Sequence, residues 1–376
     1  MILPQHAIRK CRITPVRSRY KHVVHSYHAV PAWNPDGTLL LYLGVDEPGR
    51  AADVVVQELR TGRETVLGST TDYNFHCAAW QQWVLGGKAV VYGRGTEEGH
   101  DLLYLAHLDR PGAARALRNF PDCNLRNICT NDRYGTGNGP SPRGEAIQRF
   151  DFLEEKSEVI VTMEEALKLY PREYYEKPEG GLSYVFSHAV TNHDDTRMFF
   201  KIGKQHPTRE YGYPDWGAFY AMDLPAGELR CLGNRISGHP IWMPDGRHIL
   251  NVKNPLDGSD NRWIVLWDSV TGADERIVDQ VVEGPFHPAL SPNQRYVVMD
   301  SFTRDGLCSP IYVLDLQSGE VREIARLKHV FRGTPYSAIT RGQPHPSWSP
   351  DGRQVLVNCN ETGERMGMYV LDDFLP

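Results

Sequence analysis

The chain has 376 residues and no run of 18 or more apolar ones, so no helix is expected to cross a membrane. Its N-terminal stretch, MILPQHAIRKCRITPVRSRYKH, lacks the long apolar core of a secretory signal, and the expected location is the cytoplasm. A basic excess is missing too: 41 Lys and Arg stand against 47 Asp and Glu, a net charge of −6. Nucleic-acid binders carry a basic stripe or surplus, so that class is set aside. The balance still permits a local cationic pocket for an acidic small molecule. Cysteine is sparse, seven in all, and no C-x-x-C pair occurs, which argues against a disulfide framework or a zinc knuckle. No Gly-x-Ser-x-Gly nucleophile elbow is present either.

What the sequence does contain is a repeat. An apolar strand, a Pro-Asp-Gly-like turn and a second apolar strand recur as PAWNPDGTLLLYLG (31–44), PIWMPDGRHILNV (240–252), PALSPNQRYVVMD (288–300) and PSWSPDGRQVLVN (346–358). AVTNHDDTRMFFK (189–201) is a degenerate copy. The turn residues make a tight reversal and the flanking runs are β-formers, so each copy reads as a hairpin. Further strand–turn–strand segments follow, such as RWIVLWDSVTGADERIV (262–278) and IYVLDLQSGEVREIA (311–325). A four-stranded unit of about 50 residues is a propeller blade.

Hairpins begin near His28, His76, His188, His239, His287 and His345, at gaps of 48, 112, 51, 48 and 58 residues. The long gap holds two blades, the extra one over 127–162. The expected fold is all-β: one domain over 1–376, a seven-bladed β-propeller. Its last blade is closed by an N-terminal strand within 8–18, which removes an exposed edge. Thr162 followed by Glu165 forms a capping-box signature. It places a short helical insertion near 163–176, within a segment of about 163–182.

The histidines hold one blade position. His188, His239, His287 and His345 each lie six residues before the turn Asp or Asn. First strands line the channel of a propeller, so these side chains are expected to converge. His28 and Gln343 lie eight residues before their turns, and period-two alternation puts positions minus eight and minus six on one face. His76 joins the same tier. Crowded imidazoles repel when charged, which points to a partner or metal that holds them neutral. A Gln oxygen beside imidazole nitrogens suits a transition metal.

Three segments, GHPIWMPDGRHI (238–249), FHPALSPNQRYVVMD (286–300) and GQPHPSWSPDGRQVL (342–356), resemble the oligogalacturonate lyase family of seven-bladed propellers. The resemblance implies β-elimination of a short, acidic, uronate-containing oligosaccharide, with a bound divalent metal, Mn²⁺ in that family. By match, His239 takes the catalytic-histidine position, with His188 as second choice. His287 and His345 match metal ligands. Gln343 stands where the family has a further histidine, and Thr340 near the family's glutamine. The family arginine falls nearest Arg209, with Arg197 behind it. His28 and His76 would contact substrate, as would Tyr211 and Tyr213, either of which would protonate the leaving oxygen. Two other readings remain open. The same hairpins occur in TolB-like propellers, which bind partners without catalysis. A different metal-dependent reaction on a uronate would use the same pocket.

Overall fold

The structure is a computed structural model. It describes residues 11–28, 30–97, 100–117, 124–128, 133–170, 183–205, 215–225, 227–233, 236–253, 263–278, 287–303, 305–332 and 338–375. Strands dominate and form seven four-stranded sheets, the blades of a β-propeller. Six blades run in chain order from the innermost strand outwards. The seventh takes Ser347–Trp348, Val355–Cys359 and Gly367–Asp372 from the C-terminus and its outer strand, Arg12–Pro15, from the N-terminus. Arg12 pairs with Asp372 and Pro15 with Tyr369 in antiparallel register. The expected closure is therefore present, over a narrower span than 8–18.

The third blade, the one inferred from spacing alone, consists of Asn124–Ile128, Tyr134–Ser141, Gly144–Asp151 and Lys156–Thr162. The helix after it is Met163–Leu167. Its capping box is complete: Glu165 N donates to Thr162 Oγ1, and Thr162 N donates to the Glu165 carboxylate. The helix ends at Leu167, four residues before Pro171, and the rest of the expected insertion, 171–182, lies outside the described residues.

The described chain divides into two compact units. One comprises Met1–Gln82, Ala106–Ala114 and Val282–Pro376, with blades one, six and seven. The other comprises Trp83–Leu105 and Arg115–Val281, with blades three, four and five. In each, apolar residues of the two strand faces fill the spaces between adjacent blades. Trp348, Val298, Val313 and Val357 belong to one such layer, and Phe199, Phe219, Trp242 and Trp267 to another.

The repeated motif explains itself in these layers. Its tryptophan donates an indole N–H to the first strand of the preceding blade: Trp348 to Ala289 O and Trp242 to Val190 O, both at 2.9 Å. Its turn is held by a side-chain acceptor, Ser349 for Gln354 N and Asn192 for Arg197 N. These bonds satisfy backbone groups that a tight reversal would otherwise leave unpaired.

Candidate functional site

The innermost strands are irregular where the histidines sit. In blade one, His22–Val24 pairs with the second strand, then the chain leaves the sheet until an isolated bridge at Trp33. His25, Tyr27 and His28 lie in that interruption. In blade two, His76 precedes Gln82–Val84 in a loop where Ala78 and Trp80 adopt positive φ. His345 itself has φ 45°, two residues before its strand. In blade four the register jumps between Ser187 and Val190, and His188 has φ 52°. In blade five it jumps between Ser237 and Ile241, across His239. Bulges and left-handed residues re-aim side chains, and they collect at functional positions. The alternation argument for Gln343 with His345, and for His28, fails for the same reason. Those residues lie outside strands, so period two does not govern them.

The histidines converge all the same. Within the first unit, ring centroids are 4.4 Å apart for His287 and His345, 4.9 Å for His76 and His345, and 5.4 Å for His28 and His287. The two longer separations, His28 to His345 and His76 to His287, are 6.4 and 6.3 Å. Tyr27 meets all four rings edge-on, at 4.4 to 6.0 Å. Trp80 lies against it too, at 5.0 Å.

Asp300 anchors this cluster from behind. Its carboxylate is fully buried and accepts from His287 N at 2.9 Å, His287 Nδ1 at 2.8 Å and His345 N at 3.0 Å. The bond to Nδ1 fixes that nitrogen as the protonated one and leaves Nε2 as the donor atom, the arrangement a metal-ligating histidine uses. Neither ring nitrogen of buried His345, nor Oε1 of buried Gln343, has a hydrogen-bond partner among the described residues. Burial, reinforced by the neighbouring imidazoles, holds His345 well below the usual histidine range. A neutral imidazole is the form that ligates a metal.

Buried imidazole nitrogens beside an amide oxygen are a donor set of the kind a divalent transition metal takes. A metal–nitrogen bond of about 2.1 Å puts a ring centre roughly 3.2 Å from the ion, so rings sharing one ion stand roughly 4.5 to 6.4 Å apart. The observed centroid spacings run from 4.4 to 6.4 Å. The buried, unsatisfied nitrogen and amide oxygen would otherwise each carry a desolvation cost.

Positive charge lies close by. Arg341 is fully buried, its guanidinium stands 5.5 Å from the centre of the Phe331 ring, and burial lowers its pKa while Tyr27 and Cys77 act in the opposite sense. His25, also buried, is pushed down to about 4 by desolvation.

In the second unit, His188 and His239 form a pair with centroids 5.0 Å apart and ring nitrogens within 4.8 Å. His188 Nδ1 lies 2.6 Å from Ser187 Oγ. Both histidines are partly exposed. Arg197 is turned to Asp223, at 3.0 Å, in an ion pair on its blade. Arg209, Tyr211 and Tyr213 lie outside the described residues.

Tyr27, Asp300 and Arg341 are the site residues that sequence reasoning missed. Asp300 had a signal: it falls 13 residues after His287, on the strand that returns beside it. Tyr27 and Arg341 belong to no repeat position and carried none.

No family model matches this chain, and no curated protein sequence does. Solved structures do. An oligogalacturonate lyase in complex with manganese is 16% identical, with 98% of each chain covered and a TM-score of 0.68. The oligogalacturonate lyase of Vibrio parahaemolyticus is 14% identical, covering 97% of this chain and 94% of that one, with a TM-score of 0.69. The β-propeller domain of the Trilobed protease from Pyrococcus furiosus is 16% identical over 93% of this chain and 96% of that one, at 0.56. The chain therefore has the fold of the oligogalacturonate lyases, a seven-bladed β-propeller, with little of their sequence.

Proposed function

We propose that this protein is a lyase that cleaves short uronate-containing oligosaccharides by metal-assisted β-elimination. The observation that carries the reading is the buried imidazole cluster backed by Asp300, on a fold whose solved likenesses include a lyase in complex with manganese. His287 and His345 would hold the ion, with Gln343 as a further donor, and His28 and His76, whose rings lie beside them, would contact substrate. A divalent cation there supplies Lewis-acid neutralisation of the uronate carboxylate.

The remaining chemistry belongs to side chains. The proton beside the carboxylate passes to a neutral imidazole, for which His239 is the first assignment and His188 the second. The electron pair left on that carbon forms the new carbon–carbon double bond. The bond from the next carbon to the glycosidic oxygen breaks, and that oxygen takes up a proton. Tyr211 or Tyr213 is assigned to that protonation. Arg209, carried from the family's pattern, is the candidate cation for the substrate's negative charge.

Product mass tests the reading. Elimination adds no water, so two fragments from one oligogalacturonide should sum to the mass of the substrate. Fragments heavier by one water would establish hydrolysis on the same pocket. Intact substrate, with no metal retained by the purified protein, would favour a non-catalytic binding propeller.

A further inference from the structure

The position 13 residues after each first-strand histidine is occupied by Asp300 after His287, Asn358 after His345, Lys201 after His188 and Val252 after His239. Two of these show what the position does. Asp300 binds its own blade through His287 and the next blade through His345 N. Asn358 likewise accepts from His25 N of the next blade at 3.0 Å and donates to Gln343 O of its own at 3.4 Å. Where the residue is polar, in these two blades, the position ties neighbouring first strands together at the level of the histidines, whereas Val252 in blade five has no polar side chain to do so.

Lys201 occupies it in blade four. The side chain is 1% exposed, and burial alone lowers its pKa to about 7. Its strand, Arg197–Gln205, pairs Lys201 with Ser187, the last paired residue before the bulge that carries His188. Alternation puts Lys201 on the same face as Phe199. The Phe199 ring meets Trp242 of blade five at 5.4 Å. Lys201 is thus directed to the junction of blades four and five, the blades that carry His188 and His239. A lysine is rarely buried without a specific task, because desolvating an ammonium is costly.

We infer that Lys201 is the positioning residue of the His188–His239 pair, the counterpart of Asp300 with the opposite hydrogen-bonding sense. Asp300 accepts only, and so fixes N–H groups. Lys201 as an ammonium donates only, and as a neutral amine still donates two N–H groups, and so fixes carbonyl oxygens or ring lone pairs of the two first strands. The catalytic consequence rests on the lyase reading above; the positioning role does not.

Two readouts separate them. Lys201→Met removes the donor at nearly the same length, and Lys201→Leu serves as a second donor-free variant should the first not fold. In ¹⁵N-histidine-labelled, Zn²⁺-loaded protein at one fixed pH, either variant should shift the ring nitrogens of His188 and His239 and leave those of His287 and His345 in place. In the elimination assay, kcat should fall about 10- to 100-fold, the usual effect of losing a supporting hydrogen-bond partner, with KM little changed. Lys201→Arg should restore part of it. Unchanged ring nitrogens at both histidines would overturn the inference, even where thermal stability falls. Shifted nitrogens in a protein that eliminates nothing would uphold it and refute the lyase reading instead.

Discussion

Asp300 is the residue on which the cluster most depends. Three donors converge on its fully buried carboxylate. Asp300→Asn removes the charge and brings an amide N–H toward backbone N–H groups. Metal affinity should fall about 10- to 100-fold, read by competition with a calibrated chelator. An unchanged affinity would detach His287 from metal binding. Lys201 makes a different prediction, about stability. Its pKa is about 7 in the fold against 10.5 when solvated. Between those values the unfolded chain binds the extra proton, so the Lys201 contribution to stability rises with pH through that window. Denaturant titrations at pH 7 and pH 10 should show a steeper rise for the parent protein than for Lys201→Met. Equal slopes would mean that Lys201 titrates normally. At this scale the sequence identified the histidines, because a blade repeat supplies a ruler. It did not identify Tyr27 or Arg341, whose place in the site depends on loops that depart from the repeat.

Among the elements, the hairpins were readable because their turns are local. Pro-Asp-Gly and its side-chain caps act over five or six residues, and a sequence window of that size contains every partner. The bulges were not readable. The left-handed backbone at His188 and His345 has no glycine or asparagine to announce it, and such conformations persist only when the surrounding structure holds them. The short helical turn Ile339–Arg341 illustrates how tightly that holding works. Gly342 closes it, and a Cβ there would overlap Met366 Cε and lie 2.9 Å from the Phe75 carbonyl oxygen. The methionine can move, but the Phe75 backbone cannot without shifting the chain that leads to His76. Gly342→Ala should therefore destabilise by about 1–3 kcal/mol, the usual cost of overpacking, measured by denaturant unfolding. It should also weaken metal binding. A neutral result in both would show that the Gly342 backbone is not what holds Gln343 and His345.

For the whole molecule, the repeat and its spacing were enough to count seven blades and to assign the N-terminal strand to the last. The reason is physical: an unclosed blade would leave Gly367–Asp372 as an open sheet edge. Arg12 adds a paired side-chain contact, with Nε and a terminal nitrogen each 2.8 Å from the Asp372 carboxylate. Arg12 is exposed but Asp372 is buried, so Arg12→Ala should lower Tm modestly by removing a paired partner from a buried carboxylate. Deleting residues 1–16 should lower Tm and promote association through the bared strand, followed by calorimetry and size-exclusion chromatography. A deletion variant as stable and monodisperse as the parent would refute closure as a source of stability. The chemistry is less accessible from sequence than the shape, because propeller folds host many functions and the reacting groups come from blades far apart in the chain. The direct test is an ultraviolet assay for the unsaturated uronate product with short oligogalacturonides, with and without chelator. The account predicts an absorbance rise that is abolished by chelator, restored by added Mn²⁺, and lost in His239→Ala. No rise from metal-loaded protein, or a rise indifferent to both chelator and His239→Ala, would contradict it.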